Sequence, residues 1–401
     1  MPAIAVTSAN TNRIDRSARV VVRTSTGILY IIVHDDTNDG IEVWKGNSVN
    51  PISFSEQDSA NNPQSAGRYI SPSGAIDSSN IIHIAYYDLN GKSSALRYVI
   101  FNTSTDTFSG DVSVKDIGSG NPAEVGTAIS IDSNNIPHIV WTDVNKSAGV
   151  DYDTVYYVNK IGGVWNTQVE VEGVTANKLC RFGDLTIDKD NIPEISYTNN
   201  IDDQVTAALG NANNATSFSL FDVDSSVTDF FKGSIAIEPS GNTHVAYLQR
   251  TFGVNDIVRV EIREHIYGNA WTTWETIQVI DTDIGPGEAT VNMSISLVIP
   301  DTRRYIFVEE LDTNDIIFYR SSDSTWINQK LETGTYNHVN TKWAFNNNNQ
   351  KLDRIDYVFT DETVSPDILW NEVFLIIPQN RISQPTSANF NTIVSCISLC
   401  F

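Results

Sequence analysis

Gly74-Ala75-Ile76-Asp77-Ser78-Ser79-Asn80-Ile81-Ile82-His83-Ile84-Ala85-Tyr86-Tyr87-Asp88 sets two runs of β-branched, aromatic and small residues on either side of a polar Asp-Ser-Ser-Asn turn. Strand formers flanking residues that hydrogen-bond their own backbone predict a tight hairpin. The phrase returns as Ile129-Ser130-Ile131-Asp132-Ser133-Asn134-Asn135-Ile136-Pro137-His138 with its continuation to Asp143, and again over residues 185–199 and 235–249. Weaker copies lie at 20–35, 294–310 and 342–361. With His83 as register, the equivalents are Tyr30, His138, Glu194, His244, Tyr305 and Asp356, so successive copies are 53, 55, 56, 50, 61 and 51 residues apart.

A second strand pair follows most copies: residues 155–158 then 165–171 across Gly162-Gly163, residues 258–264 then 271–279 across Gly268-Asn269, and residues 316–320 then 326–331. Four strands in each period of about 50 residues is the pattern of propeller blades, small twisted sheets set around a channel. The fold expected is therefore all-β: a seven-bladed β-propeller of four-stranded blades over residues 1–377, with residues 378–401 as a linker and tail. The first blade is expected to begin near Arg16, leaving residues 3–8 as a spare strand for the outer edge of the last blade. That placement closes the ring and hides its open edges.

Charge narrows the partners. Lys and Arg total 26 against 49 Asp and Glu, a net charge of −23. Such a field repels polyphosphate and anionic lipid, so nucleic acid and membrane insertion are both expected to be absent from its partners. The first residues carry neither a basic stretch nor a signal-length apolar run. Cys180, Cys396 and Cys400 allow at most one bridge and form no Cys/His metal pattern.

The repeats resemble the sialidase-like, or BNR-like, propeller superfamily over residues 16–377, through strand pairs of the type Ile-Asp followed by His-Ile-Ala-Tyr and an aromatic on the outer strand. That resemblance implies architecture; its members include hydrolases, lectins and virion-attached proteins. A sialidase-like hydrolase would need three arginines converging on a sugar carboxylate. Arg13, Arg68, Arg97, Arg181, Arg259 and Arg354 are available, but no pattern in the sequence assigns three of them to one face. The nearest approach to an Asp box, Ser321-Ser322-Asp323-Ser324-Thr325-Trp326, lacks its glycine.

Candidate binding residues follow from the repeat. All seven second strands should end on one face, at Asp35, Asp88, Asp143, Asn199, Gln249, Glu310 and Asp361. Such a ring offers oxygen ligands for Ca²⁺ or acceptors for sugar hydroxyls, although Asp and Asn also simply open turns. Trp165, Trp271 and Trp326 offer aromatic faces to sugars or pack at the starts of outer strands. Residues 151–153, Asp-Tyr-Asp, are read as part of an extended acidic loop with Asp143 and Asn145. His83, His138 and His244 share one position in different blades, too far apart around a ring to meet at one metal, and read as packing residues. Phosphate-loop, serine-elbow and zinc-protease motifs are absent from the sequence. The functional expectation is a non-catalytic recognition or structural module on a virion or extracellular surface, joined to other subunits by its tail and able to bind glycans. A lectin and a sialidase-like glycoside hydrolase are the alternatives.

Overall fold

The computed structural model describes residues 3–374 apart from 8–11, 14–18, 36–39, 60–62, 64–67, 90–93, 119–125, 148–149, 173–179, 200–203, 225–228, 252–256, 269–274, 282–294, 300–302, 311–314, 323–324, 333–335, 341–353 and 362–366. The tail at 378–401 lies outside the described residues. The described residues form seven antiparallel sheets and no helix. The chain is a seven-bladed β-propeller, as the repeat predicts.

Blade 2 shows the plan: Arg68–Ile76 innermost, then Ile81–Leu89, Ser94–Asn102 and Thr107–Gly118 outermost. Its hairpin turn is held by Asp77, whose Oδ1 accepts the backbone N–H groups of Ser79 and Ile81 at 2.9 and 2.8 Å. Asn80 ends that turn at φ 62°, a left-handed conformation that Asn tolerates. Asn135 and Asn191 repeat it at φ 62° and 65°, and Gly241 at 99°. The turn chemistry visible in the sequence is therefore what sets each repeat's register.

The asparagines also join blades. Asn80 Oδ1 accepts the Ser25 N–H of blade 1 at 2.6 Å, Asn135 Oδ1 accepts the Ser78 N–H and hydroxyl, and Asn191 Oδ1 those of Ser133. Between the blades the core divides into seven apolar clusters, one per joint; the joint of blades 1 and 2, for example, packs Tyr30, Ile32 and Val43 on Ile82, Ile84 and Phe101. A sheet covered on both faces explains why second strands such as Leu29–Asp35 and Pro193–Asn199 are buried throughout.

The ring closes as the spare strand predicts. Ile4–Ala5 pairs with Asp367–Phe374 as the outer strand of blade 7, through Ile4 opposite Trp370 and Ala5 opposite Leu369. Across the same joint Arg23 of blade 1 makes a two-pronged, buried pair with Asp356 of blade 7 at 2.6 and 2.5 Å. Blade 1 begins earlier than expected, because Asn12–Arg13 already pairs with the end of Leu29–Asp35. Its innermost strand is described at Asn12–Arg13 and at Val21–Arg23.

Candidate functional site

The two faces of the ring differ in kind. On the loop face, where second strands end, the ring positions fall at equivalent register. Asp35 pairs with Asn12, Asp88 with Tyr69, Asn199 with Cys180, Gln249 with Phe230 and Asp361 with Tyr336. Asp143 pairs with Thr154 and Glu310 with Asp315 on the following strand. Asp35, Asp88 and Asn199 are 3%, 8% and 1% exposed, so these three are drawn into their blades; Arg97 lies 3.7 Å from Asp88 and Asn199 donates to Glu172. The side chains of Asp143, Gln249, Glu310 and Asp361 lie outside the described ones. The acidic loop read at residues 151–153 is instead strand: the ladder continues past Asp143, with Val144 opposite Asp153, Asn145 opposite Tyr152, Lys146 opposite Asp151 and Ser147 opposite Val150. Blade 3 therefore carries a longer hairpin on this face, its ladder running on to Ser147 opposite Val150.

Three arginines share this end. Arg13, Arg68 and Arg181 sit at the loop-face ends of the innermost strands of blades 1, 2 and 4, opposite His34, Leu89 and Thr198. Each is one residue from the ring level of its blade. Arg13 and Arg181 stand one residue inside the ring level and Arg68 one residue beyond it, an arrangement hidden in the sequence by bulges between Ile70 and Ser73 and between Arg181 and Asp184. Counting back across each hairpin from its ring residue is the signal that finds them. Arg97 is placed elsewhere, held by Asp111 at 2.8 Å on the outer strands of blade 2.

Below this mouth the channel is crossed by a buried side chain. Arg19, 5% exposed, reaches from blade 1 to Ser130 Oγ of blade 3 at 3.3 Å, to the Leu185 carbonyl of blade 4, and to Asp184 at 3.7 Å. Burial pulls its guanidinium below its ordinary value, against the opposing pull of Asp184. Asp184 also accepts the Ile235 N–H and Ser234 hydroxyl of blade 5 at 2.9 and 3.2 Å, so one ion pair ties blades 1, 4 and 5.

The turn face carries a repeated acid–base pair. His83 lies with Nε2 3.3 Å from Asp77 Oδ2 and Nδ1 2.5 Å from the Tyr98 hydroxyl. His138 likewise stands between Asp132, at 3.8 Å, and the Tyr157 hydroxyl, at 2.6 Å. Burial pushes Asp77 and Asp132 up, but the histidine beside each and hydrogen bonds from turn N–H groups outweigh it and hold both below the usual carboxylate range. The histidines are therefore turn-locking partners within a blade.

In blade 5 Glu238, His244 and Glu264 form the one metal-type cluster among the described residues. Arg304 occupies it, donating from Nε to His244 Nδ1 at 3.2 Å and from Nη2 to Glu264 at 3.3 Å. A guanidinium only donates, so Nδ1 accepts and the ring proton sits on Nε2, facing Glu238 at 3.2 Å. No imidazole lone pair is left for a cation.

Blade 4 breaks the pattern, since Glu194 stands where the histidines stand. It is fully enclosed, accepts the Thr243 hydroxyl at 2.6 Å, and burial together with nearby Asp188 pushes it up to about 8. Asp188 is raised as well, chiefly by burial, although its Oδ1 accepts the N–H groups of Asp190 and Ile192. Beside this pair opens a cavity of about 380 Å³ at the turn-face end of the channel, bordered by Arg19, Ser130, Asp132, Asp188, Lys189 and Glu238.

Of the tryptophans, Trp165 packs edge-on against Tyr98 with ring centres 4.9 Å apart, and Trp326 rests on the core between blades 5 and 6. Trp271 lies outside the described residues.

No family model matches the chain, and no curated protein matches it. Solved structures do match along almost its whole length. An ulvan lyase bound to a GlcA-containing saccharide superposes with a TM-score of 0.61 at 10% identity, covering 93% of this chain and 96% of that one. The Penicillium chrysogenum α-L-arabinanase complexed with arabinobiose gives 0.55 at 9% identity, over 93% and 98%. A Hadza microbial sialidase gives 0.51 at 10% identity, over 88% and 74%. The chain shares its propeller fold with these three proteins, a lyase, an arabinanase and a sialidase by name.

Proposed function

We propose that the loop face of this propeller recognises an anionic polysaccharide through Arg13, Arg68 and Arg181. The observation that carries the reading is the gathering of three arginines at the loop-face ends of innermost strands, in a chain of net charge −23. Arginine is suited to this task because its planar fork pairs two-pronged with carboxylate or sulfate. Asp35, Asp88 and Asn199, buried one residue away, then serve to fix the strand ends that carry the arginines. The carbohydrate-active character of the similar structures supports the ligand class. In the fuller form of the reading the chain is a recognition module of a virion or extracellular surface, with residues 378–401 attaching it to other subunits.

A second reading keeps the same face and adds chemistry, as in a lyase or glycoside hydrolase; it is favoured by the enzymes among the similar structures. Titrating the full chain with a panel of uronate-containing, sulfated and neutral polysaccharides, while following unsaturated products and new reducing ends, tests both. Selective binding of anionic chains, lost at least about tenfold in Arg68→Ala and Arg181→Ala, is expected. Binding that ignores charge, or survives both replacements, overturns the proposal. Product formation decides for the enzyme; binding with no product decides for the module.

A further inference from the structure

The cavity on the turn face is independent of the arginine-bearing mouth, being separated from it by the Arg19–Asp184 crossing. Its origin is legible in the repeat. At the earlier joints a turn serine meets the asparagine of the next blade, as Ser78 meets Asn135 and Ser133 meets Asn191. At the joint of blades 4 and 5 the serine position holds Lys189 and the asparagine position holds Gly241, so the staple is missing and space opens. Tyr267, 46% exposed, lies against Gly241.

Charge and hydrogen bonding define what fits. Both basic residues on the wall are committed: Arg19 faces Asp184, and Lys189 lies 3.2 Å from Asp190 and 2.8 Å from the Tyr267 hydroxyl. The acids differ in their partners. Asp132 and Glu238 each have a histidine beside them, whereas near Asp188 the histidine position holds Glu194, and the Asp188 Oδ2 makes no hydrogen bond among the described residues. Asp188 is nonetheless only 9% exposed, a buried acid lacking the histidine its sister acids have. Serine and threonine hydroxyls at Ser130, Ser133 and Thr186 complete a polar wall. A space of about 380 Å³ is in the range of small-molecule sites and far larger than a bare ion needs. We infer that this cavity binds a ring-sized hydroxylated molecule bearing a primary ammonium, an amino sugar in chemical class, with the ammonium on Asp188 Oδ2.

The test is calorimetric titration of the full chain with glucosamine, and with glucose as the uncharged counterpart. Glucosamine is expected to bind saturably and at least about tenfold more tightly than glucose, with the preference weakening in salt. Asp188→Asn keeps the turn-capping carbonyl and is expected to abolish that preference. Glu194→His gives Asp188 the partner its sister acids have; it is expected to weaken glucosamine binding while raising thermal stability at neutral pH, which separates loss of the site from loss of the fold. Arg68→Ala, on the other face, should leave glucosamine binding unchanged even if polysaccharide binding fails. Equal affinity for glucose and glucosamine, no saturable binding of either, or full binding by Asp188→Asn would overturn the inference.

Discussion

Blades 3 and 4 are built on one plan and differ at one repeat position with large electrostatic consequences. In blade 3 the turn acid Asp132 lies 3.8 Å from His138, which in turn meets the Tyr157 hydroxyl, and the two side chains are fully buried. In blade 4 a second carboxyl, Glu194, takes the histidine position near the turn acid Asp188, and burial raises both. The backbone turns are nonetheless alike, with the acid's Oδ1 taking N–H groups two and four residues on in both: Asn134 and Ile136, then Asp190 and Ile192. The first carboxylate oxygen builds the turn, and the residue at the histidine position decides only what becomes of the second.

Transplanting the blade-4 solution into blade 3 is the harshest test of that division. His138→Glu would place two buried acids beside each other and strip Tyr157 of its partner. A loss of about 4 kcal/mol in denaturant-derived stability at pH 8 is expected. A loss below about 1 kcal/mol would mean that the pair in blade 3 contributes little.

The reverse experiment sharpens the comparison through pH. Glu194 is raised to about 8 from 4.5, chiefly by burial, with Asp188 adding to it. The folded chain therefore holds a proton that the unfolded chain releases, so this contribution is complete below about pH 4.5 and is lost as pH rises through 8. Glu194→Gln removes the ionisation and retains an acceptor for Thr243. Its stability advantage should be absent at pH 4 and grow to on the order of 3 kcal/mol by pH 8. Asp77 and Asp132, held low, act in the other direction, their stabilisation being lost in acid, as does neutral His244, which burial keeps below its ordinary value. A thermal melt series from pH 4 to 9 in which the Glu194→Gln variant and the parent chain run parallel would refute a buried, proton-holding carboxyl at this position.

How far the sequence could be read follows from the same residues. The turn phrase at Asp77 to Asn80 specifies its hairpin locally, and its recurrence fixes blade number, strand order and the closing role of Ile4–Ala5 without any long-range knowledge. The sites resist such reading because they depend on what two distant repeats place together. Arg19 of blade 1 meets Asp184 of blade 4 across the channel, a pairing of distant repeats that no local spacing encodes. Arg68 and Arg181 are placed at the loop-face ends of their strands only after the bulges of those strands are counted. The ring acids were legible as a position, but their burial at Asp35 and Asp88 depends on partners that no spacing reveals.

The mildest prediction concerns the staple whose absence opens the cavity. Asn135 holds φ 62° and accepts from both the N–H and the hydroxyl of Ser78, at 3.1 and 2.9 Å. Glycine tolerates that backbone, so Asn135→Gly deletes the bridge between blades 2 and 3 and little else, and about 1 kcal/mol should be lost. The reciprocal change, Gly241→Asn, cannot simply install a staple between blades 4 and 5: Lys189 replaces the serine, and a Cβ at Gly241 would lie 3.1 Å from the Tyr267 ring. It should therefore also destabilise, by about 1 kcal/mol. If the glycine variant were silent while the asparagine variant stabilised, the turn asparagines would be serving φ alone, and the gap at blades 4 and 5 would owe nothing to the missing bridge.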